Sequence, residues 1–320
     1  PTGRTAKSIS AGGDHTCAIL DNDYIYCWGN DEHDQLGGGG EGDYSSVPVN
    51  VSTSTARYVA AGDKHTCAIW DGESTSSENG PGTVSCWGDG DMGQLGWGAH
   101  QDSSTPVPVY WLNGFNYQGN EATWISAGKE HTCVVIENGS GYCWGSNAYG
   151  QLGSGSTGGS VNSPVEISLP SGFTVSSISA GGEHTCALLD DGWLYPYCWG
   201  NNEYGNLGDD STTDSNTPVA VDGAPYGGGT VWNAVLAASS HSCAMYNGST
   251  SNGEILCWGE GDEGRLGTGS DSNSQTPEGV QFSSWTPIHT LGPVSSRTTC
   301  VGLENANVYC WGYGGSGNIG

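Results

Sequence analysis

Twelve cysteines divide the chain into six similar segments. Each segment holds one pair, and the second cysteine of every pair is followed by Trp-Gly. The pairs are Cys17 and Cys27, Cys67 and Cys86, Cys133 and Cys143, Cys186 and Cys198, Cys243 and Cys257, and Cys300 and Cys310. Successive first cysteines (17, 67, 133, 186, 243, 300) stand 50, 66, 53, 57 and 57 residues apart. A period of this length is typical of β-propeller blades.

The residues between paired cysteines predict a β-hairpin. After Cys17 come a short apolar segment (residues 18–20), a polar turn (21–23) and a second strand signal (24–26). Pairing Cys17 with Cys27 places Ala18 opposite Tyr26 and leaves a three-residue turn, which hairpins favour. The other copies repeat this spacing or lengthen only the tip, most of all at residues 71–83.

Helical periodicity is absent, and glycine makes up 55 of 320 residues without a Gly-X-Y period, so the chain is rich in loops. We predict an all-β fold, a single β-propeller domain over residues 1–320 with blades of antiparallel strands. The six repeats cover approximately residues 1–50, 51–110, 111–168, 169–221, 222–280 and 281–320. The last repeat is incomplete, because no Pro-Val strand signal follows its closing Gly-Asn-Ile-Gly at residues 317–320.

The cysteines favour disulfides over metal binding. All twelve fall into pairs that face each other across predicted hairpins, which predicts six local disulfides and an oxidising compartment. A zinc site would need two closely spaced ligand pairs, and separations of 10 to 19 residues do not supply them.

Two repeated phrases resemble a known family. Residues 144–153 read Trp-Gly-Ser-Asn-Ala-Tyr-Gly-Gln-Leu-Gly, residues 199–208 are close to this phrase, and an Ala-Gly-x-x-His phrase precedes the cysteine pairs. Both are similar to the regulator of chromosome condensation repeats, and the resemblance covers the whole chain in six copies. It implies a β-propeller, for which seven blades are usual. The sixth repeat therefore leaves two alternatives, a six-bladed ring closed by other means or a segment of a longer chain.

The resemblance does not imply one function. Members of the family include an exchange factor for a small nuclear GTPase, a plant light receptor and secreted enzyme inhibitors, so function must be argued from the residues. The cysteine pair in every blade is also a departure from the pattern of the nuclear exchange factor.

The repeated tryptophans and histidines are predicted to be structural. Cys and Trp alternate on one strand, so the tryptophans should pack between blades while the disulfides lie on the opposite face. These tryptophans are Trp28, Trp87, Trp144, Trp199, Trp258 and Trp311. The recurring histidines should hold their turns by hydrogen bonds, because equivalent positions of different blades lie too far apart to share a metal ion. They are His15, His65, His131, His184 and His241, and the sixth copy has Thr298 instead.

The charge excludes some partners. Seven Lys and Arg against 34 Asp and Glu give a formal net charge of −27, so we expect no nucleic-acid partner. No apolar run is long enough to cross a bilayer, so we expect no membrane insertion.

Acidic, glycine-rich loops raise the question of calcium. Asp31, Asp34, Asp89 and Asp91 are weak calcium candidates, although the complete alternating carboxylate pattern of a calcium loop is missing. The alternative is a diffuse, solvated acidic surface. No other cofactor is predicted.

The sequence predicts binding rather than catalysis. It contains no nucleophile elbow, zinc-protease helix or phosphate-binding loop, so we expect no enzyme. Variable loops of repeat proteins often form binding faces, and here they hold unrepeated aromatic residues that either contact a partner or pack locally. These partner-contact candidates are Trp97, Tyr110, Trp111, Phe115, Tyr117 and Tyr226.

Asn50, Asn138 and Asn247 each begin an N-glycosylation triplet, in agreement with the oxidising compartment. We therefore predict an extracellular or cell-surface recognition module for a protein or glycan ligand. The alternative is a structural subunit of an extracellular filament, appendage or matrix, in which the incomplete last blade accepts a strand from a neighbouring subunit or from the next segment.

Overall fold

The computed structural model describes residues 3–40, 42–71, 81–110, 121–225, 230–247, 253–281, 288–292 and 297–315. These residues form six antiparallel sheets and one turn of 3-10 helix, Asp262–Gly264. The chain divides into two compact units, one of residues 1–148 and 158–167 and one of residues 149–157 and 168–320.

The first unit contains three four-stranded sheets, each with its strands in sequence order. The first consists of β1 (Ala6–Ala11), β2 (His15–Leu20), β3 (Ile25–Asn30) and β4 (Tyr44–Asn50). The second consists of β5 (Ala56–Ala61), β6 (His65–Trp70), β7 (Val84–Gly88) and β8 (Ser103–Pro108). The third consists of β9 (Ala122–Ala127), β10 (His131–Ile136), β11 (Gly141–Ser146) and β12 (Ser160–Glu166).

The second unit contains two four-stranded sheets and, within the described residues, one three-stranded sheet. The fourth sheet consists of β13 (Thr174–Ala180), β14 (His184–Asp190), β15 (Leu194–Gly200) and β16 (Ser215–Ala220). The fifth consists of β17 (Val231–Ala237), β18 (His241–Asn247), β19 (Gly253–Gly259) and β20 (Ser274–Gly279). The sixth consists of β21 (Ile288–Leu291), β22 (Thr298–Leu303) and β23 (Val308–Gly312).

The predicted fold class, an all-β propeller with six blades of antiparallel strands, is confirmed. The hairpin register is also as predicted: Cys17 lies opposite Cys27, Ala18 opposite Tyr26, and the remaining cysteines face their partners in the same way. All six disulfides join the cysteines that the sequence pairs. The predicted closing phrase of the last repeat, residues 317–320, lies outside the described residues.

The outermost strand of each four-stranded sheet carries a proline. Proline cannot donate a backbone hydrogen bond, so it is tolerated at a sheet edge and discourages pairing with another chain. The five prolines occupy one register position, directly before the residue that pairs with the second cysteine, and are Pro48, Pro106, Pro164, Pro218 and Pro277.

The first strand of every sheet contains an irregularity near its start. In β5, Ala56 pairs with Trp70 and Tyr58 with Ile69, so Arg57 is an extra residue. The same shift occurs in the other five first strands. A bulge of this kind changes the direction in which the next side chains project.

Tryptophan and disulfide form the cores between blades. The Cys17–Cys27 disulfide packs with Trp87 of the next blade, and Cys67–Cys86 with Trp144. In the second unit Cys186–Cys198 packs with Trp258, and Cys243–Cys257 with Trp311. Trp87, Trp144, Trp199 and Trp258 are fully buried, whereas Trp28 and Trp311 are half-buried. No helix among the described residues is long and apolar enough to span a membrane.

Candidate functional site: blade junctions and exposed aromatic residues

In the first five blades, one backbone carbonyl of the Gly-Gln-Leu-Gly loop or its equivalent organises the junction with the following blade. The Gln35 carbonyl accepts hydrogen bonds from Thr66 Oγ1 at 2.9 Å and from Trp87 Nε1 at 2.9 Å. Gln94, Gln151, Asn206 and Arg265 provide the same carbonyl for the Thr or Ser and the Trp of the next repeat. The Thr of His-Thr-Cys and the Trp of Cys-Trp-Gly therefore fix blade to blade.

The last glycine of this loop must lie against the tryptophan. At Gly96 (φ +70°) an added Cβ would lie 2.6 Å from Trp144 Nε1. The positive φ and the close approach together require glycine, which explains why the phrase ends on it.

In each described junction, the repeated histidine forms a hydrogen bond with the Thr or Ser hydroxyl of the following blade. The Nε2 to Oγ distance is 2.8 Å in all four junctions for which it is described, namely His15 to Thr66, His65 to Thr132, His184 to Ser242 and His241 to Thr299. The hydroxyl proton is donated to the loop carbonyl, so histidine Nε2–H must donate to the hydroxyl oxygen. The sequence predicted that these histidines hold their own turn; their side chains instead connect two blades.

Burial keeps four of the repeated histidines neutral. It lowers the pKa of His15 and His131 to about 4 and the pKa of His65 and His241 to about 3. A neutral imidazole with protonated Nε2 suits a hydrogen bond inside an interface. The His-Thr-Trp network is thus part of the blade packing.

A second pair of side chains closes the loop beneath the carbonyl. Gln35 Nε2 donates to Asn30 Oδ1 at 2.8 Å, and Asn206 Nδ2 donates to Asn201 Oδ1 at 3.4 Å. In the fifth blade this pair is replaced by an ion pair between Arg265 and Glu260. The Arg265 side chain is only 6% exposed, so in the fifth blade a buried ion pair occupies the position of the amide pairs of the first and fourth blades.

Three carboxylates meet in the loop of the second blade. Ligand oxygens of Asp89, Asp91 and Asp102 all lie within 4.8 Å of one another. Asp89 accepts the Asp91 N–H at 3.0 Å, and Asp102 accepts the Gly90 N–H at 2.8 Å. Asp102 was not among the candidates, because the sequence separates it from Asp91. Comparison of the repeats could have identified it, because Asp214 and Asn273 stand at the equivalent position and accept the same backbone hydrogen bond in other blades.

The first-blade candidates behave differently. Asp31 accepts the Leu36 N–H at 2.9 Å, and burial, with the nearby Asp34 and Asp43, raises its pKa. Among the described residues, Asp31 and Asp34 do not belong to a group of three potential ligands. Calcium binding stays a prediction, with Asp89, Asp91 and Asp102 as the set that could hold the ion.

The predicted partner-contact residues fall into three groups. Tyr110 is 58% exposed. Trp97 is half-buried and packs against the cluster that contains Leu95 and Val109. Trp111, Phe115, Tyr117 and Tyr226 lie outside the described residues.

An exposed aromatic pair lies at the start of the second and third blades. Tyr58 and Trp124 are 37% and 41% exposed, and their ring centroids are 5.8 Å apart at an interplanar angle of 49°. Both follow the bulge of their strands. They were not among the predicted partner-contact residues, although aligning the repeats distinguishes them: the equivalent residues are Ser8, Ser177, Ala234 and Thr290.

Charged side chains border this pair. Arg57 Nη2 lies 2.6 Å from Asp71 Oδ1 and 3.9 Å from Glu121 Oε2. Asp71 directly precedes residues 72–80 and Glu121 directly follows residues 111–120, and both of these ranges lie outside the described residues. One cation thus serves two carboxylates beside the rings and leaves a local excess of negative charge.

A further exposed aromatic residue, Trp193, is 59% exposed at the tip of the β14–β15 hairpin. The Asp191 carboxylate accepts its backbone N–H at 3.3 Å. The three predicted glycosylation residues, Asn50, Asn138 and Asn247, are all exposed, and their glycosylation stays a prediction.

Comparison with known proteins identifies relatives. A family model described as RCC1-like domain matches residues 1–320. The Ultraviolet-B receptor UVR8 of Arabidopsis thaliana is 30% identical over 99% of this chain and 79% of its own length. Prp20p of Saccharomyces cerevisiae superimposes with a TM-score of 0.72 at 21% identity, over 92% of this chain and 67% of that chain. The CRINKLY WD40 ectodomain of the Arabidopsis thaliana receptor kinase ACR4 superimposes with a TM-score of 0.57 at 18% identity, over 99% and 84% of the two chains.

Proposed function

Because this chain belongs to the family of RCC1-like domains, we propose that it is a non-enzymatic module that recognises a protein partner outside the cell or at the cell surface. The repeated residues hold the blades together. Recognition falls to side chains that break the repeat.

The observation that carries the proposal is the set of exposed aromatic residues at non-repeated positions. Tyr58, Tyr110, Trp124 and Trp193 are between 37% and 59% exposed. Large aromatic side chains in such positions are typical anchors of protein interfaces. By contrast, the repeated His, Thr and Trp side chains of the described junctions are hydrogen-bonded between blades and so are committed to structure.

The proposed location rests on the disulfides. Disulfides persist in oxidising compartments and are rare in the cytosol. Here five of the six disulfides are fully buried and the Cys300–Cys310 disulfide is half-buried, so a reduced chain would lose part of its packing as well as its cross-links. The ACR4 ectodomain supports the idea that this fold can serve outside the cell.

A protein partner is favoured over a glycan or nucleic acid. The Prp20p structure is described together with its binding to Gsp1p and histones, so a relative in fold binds proteins. The formal charge of −27 argues against phosphate-rich and sulfated ligands. The assembly of many copies would also have to overcome repulsion between strongly negative subunits.

The test uses the whole chain, secreted from a eukaryotic host and incubated with intact cells of its source organism. We expect saturable binding that protease treatment of the cells abolishes and glycosidase treatment leaves unchanged. Loss of binding only after glycosidase treatment would identify a glycan ligand instead. Sedimentation of the same preparation should show discrete monomers, whereas long assemblies would support the structural alternative.

A further inference from the structure

Tyr58 and Trp124 occupy the same position of two neighbouring blades, and both depart from the repeat there. At this position the other described first strands carry Ser, Ala or Thr. Two adjacent blades carry a large ring where the others have a small residue, and the two rings are in contact across the junction between β5 and β9. Blade packing does not require them, because the other junctions form without them.

The rings keep a large part of their surface in water. With 37% and 41% of the residue surfaces exposed and an angle of 49° between the planes, the two rings form a tilted, partly exposed aromatic surface. The bulge directly before each ring, at Arg57 and Thr123, sets the direction of both side chains. The pair is therefore held in position by the backbone of both strands.

The charged residues near the rings favour a positively charged ligand. Aromatic ring faces attract cations. Arg57 is occupied by Asp71 and Glu121, which leaves excess negative charge beside the rings. Ion pairs engage at least five of the seven basic residues of the chain, Arg4, Lys7, Arg57, Arg265 and Arg297, so little positive charge remains to repel a cation.

We propose that Tyr58 and Trp124 form the docking point for a lysine- or arginine-bearing segment of a basic protein partner. The proposal rests on the proposed function and gives it a site and a partner chemistry. A cationic side chain lies over the two rings, and Glu121 and Asp71 attract the segment that carries it. A second copy of this chain fits poorly, because its surface has the same negative charge.

The probe is a labelled peptide, acetyl-Gly-Lys-Gly-Arg-Gly-Lys-Gly-amide, titrated with the full chain and followed by fluorescence anisotropy. The double variant Y58A/W124A should bind it about tenfold more weakly. The matched control is W193A, which removes the indole of a more exposed tryptophan (59% against 41% for Trp124) next to Asp191 and should change the affinity less than about twofold. The circular dichroism spectrum and melting temperature of both variants must match those of the parent. If Y58A/W124A does not match, the single variants Y58S and W124S are tested instead, because serine occupies this position in the first and fourth blades.

The contrary results are specific. Equal weakening in Y58A/W124A and W193A, or in neither, would show that the peptide binds the diffuse negative charge, and the inference fails. Binding of a neutral oligosaccharide that Y58A/W124A abolishes, without peptide binding, would also overturn it. Protease-sensitive binding to intact cells that Y58A/W124A leaves unchanged would overturn this site while the proposed function stands.

Discussion

Histidine burial links single residues to the stability of the blade junctions. An exposed histidine takes up a proton in water near pH 6.5, and the junction suppresses that uptake because burial disfavours the charged ring. The network works because one Thr or Ser hydroxyl accepts from histidine and donates to a carbonyl.

The free energy of unfolding should therefore fall as the pH decreases. Folded His65 and His241 have a pKa of about 3, below the ordinary value of 6.5, so the unfolded chain binds more protons in between. Stability from these groups is complete above pH 6.5 and declines by about 1.4 kcal/mol per histidine per pH unit below it. Urea unfolding of H65Q should show a shallower decline between pH 6.5 and 4 than the parent.

The matched control is H100Q, which changes an exposed histidine and should leave the slope as it is. Carboxylate protonation affects parent and variants alike, so the difference in slope isolates the buried ring. Equal slopes for H65Q and the parent would show that His65 does not stay neutral in the folded chain.

Arg265 and Glu260 test whether the ion pair replaces an amide pair. R265Q leaves the Glu260 carboxylate, which is 17% exposed, without its cation and should destabilise the chain by about 2 kcal/mol. R265Q/E260N recreates the Gln–Asn pair of the first blade and should recover most of the loss, as measured by urea unfolding. Additive losses in the double variant would contradict this interpretation.

At the level of the elements, the sequence predicted the hairpins and missed most of what joins them. Cross-strand cysteines at a spacing of ten fix a register by themselves, so the pairing of Cys17 with Cys27 could be derived. The loop carbonyl of Gln35 could not, because a backbone atom leaves no mark in a residue pattern. The contact of Asp102 with Gly90 and the meeting of Tyr58 with Trp124 are likewise tertiary facts, visible in sequence only by comparing repeats.

Each disulfide should stabilise its own blade. Replacing both Cys133 and Cys143 with alanine opens a loop of ten residues and should lower the free energy of unfolding by about 2–3 kcal/mol. The longer Cys67–Cys86 loop, with a separation of 19, should give a loss that is larger by about 0.5 kcal/mol in the chain-entropy model. Chemical unfolding under non-reducing conditions measures both. No loss for either variant would show that the blade cores suffice without cross-links.

For the whole molecule, charge and cross-linking act against each other. A formal charge of −27 on 320 residues favours expansion through self-repulsion, whereas twelve cysteines in six disulfides restrict the unfolded chain. The same charge that argues against a nucleic-acid partner would attract a basic protein partner.

Salt should reveal the repulsion. We expect the melting temperature to rise with sodium chloride as the Debye length falls from about 30 Å to about 8 Å.

If millimolar calcium raises the melting temperature far more than magnesium at matched ionic strength, and D91N removes the difference while D34N does not, the Asp89–Asp91–Asp102 group binds the ion. Equal effects of calcium and magnesium would contradict the calcium prediction. A melting temperature that does not change with sodium chloride would contradict the expected self-repulsion.

We propose that this chain is an oxidised extracellular module in which each blade carries its own disulfide, and peptide mapping of the native protein under non-reducing conditions can test this proposal. We expect six linked peptides, each within one blade, including Cys67 with Cys86 and Cys186 with Cys198. Links between blades, or thiols that react with an alkylating agent before reduction, would contradict both the blade architecture and the location outside the cell.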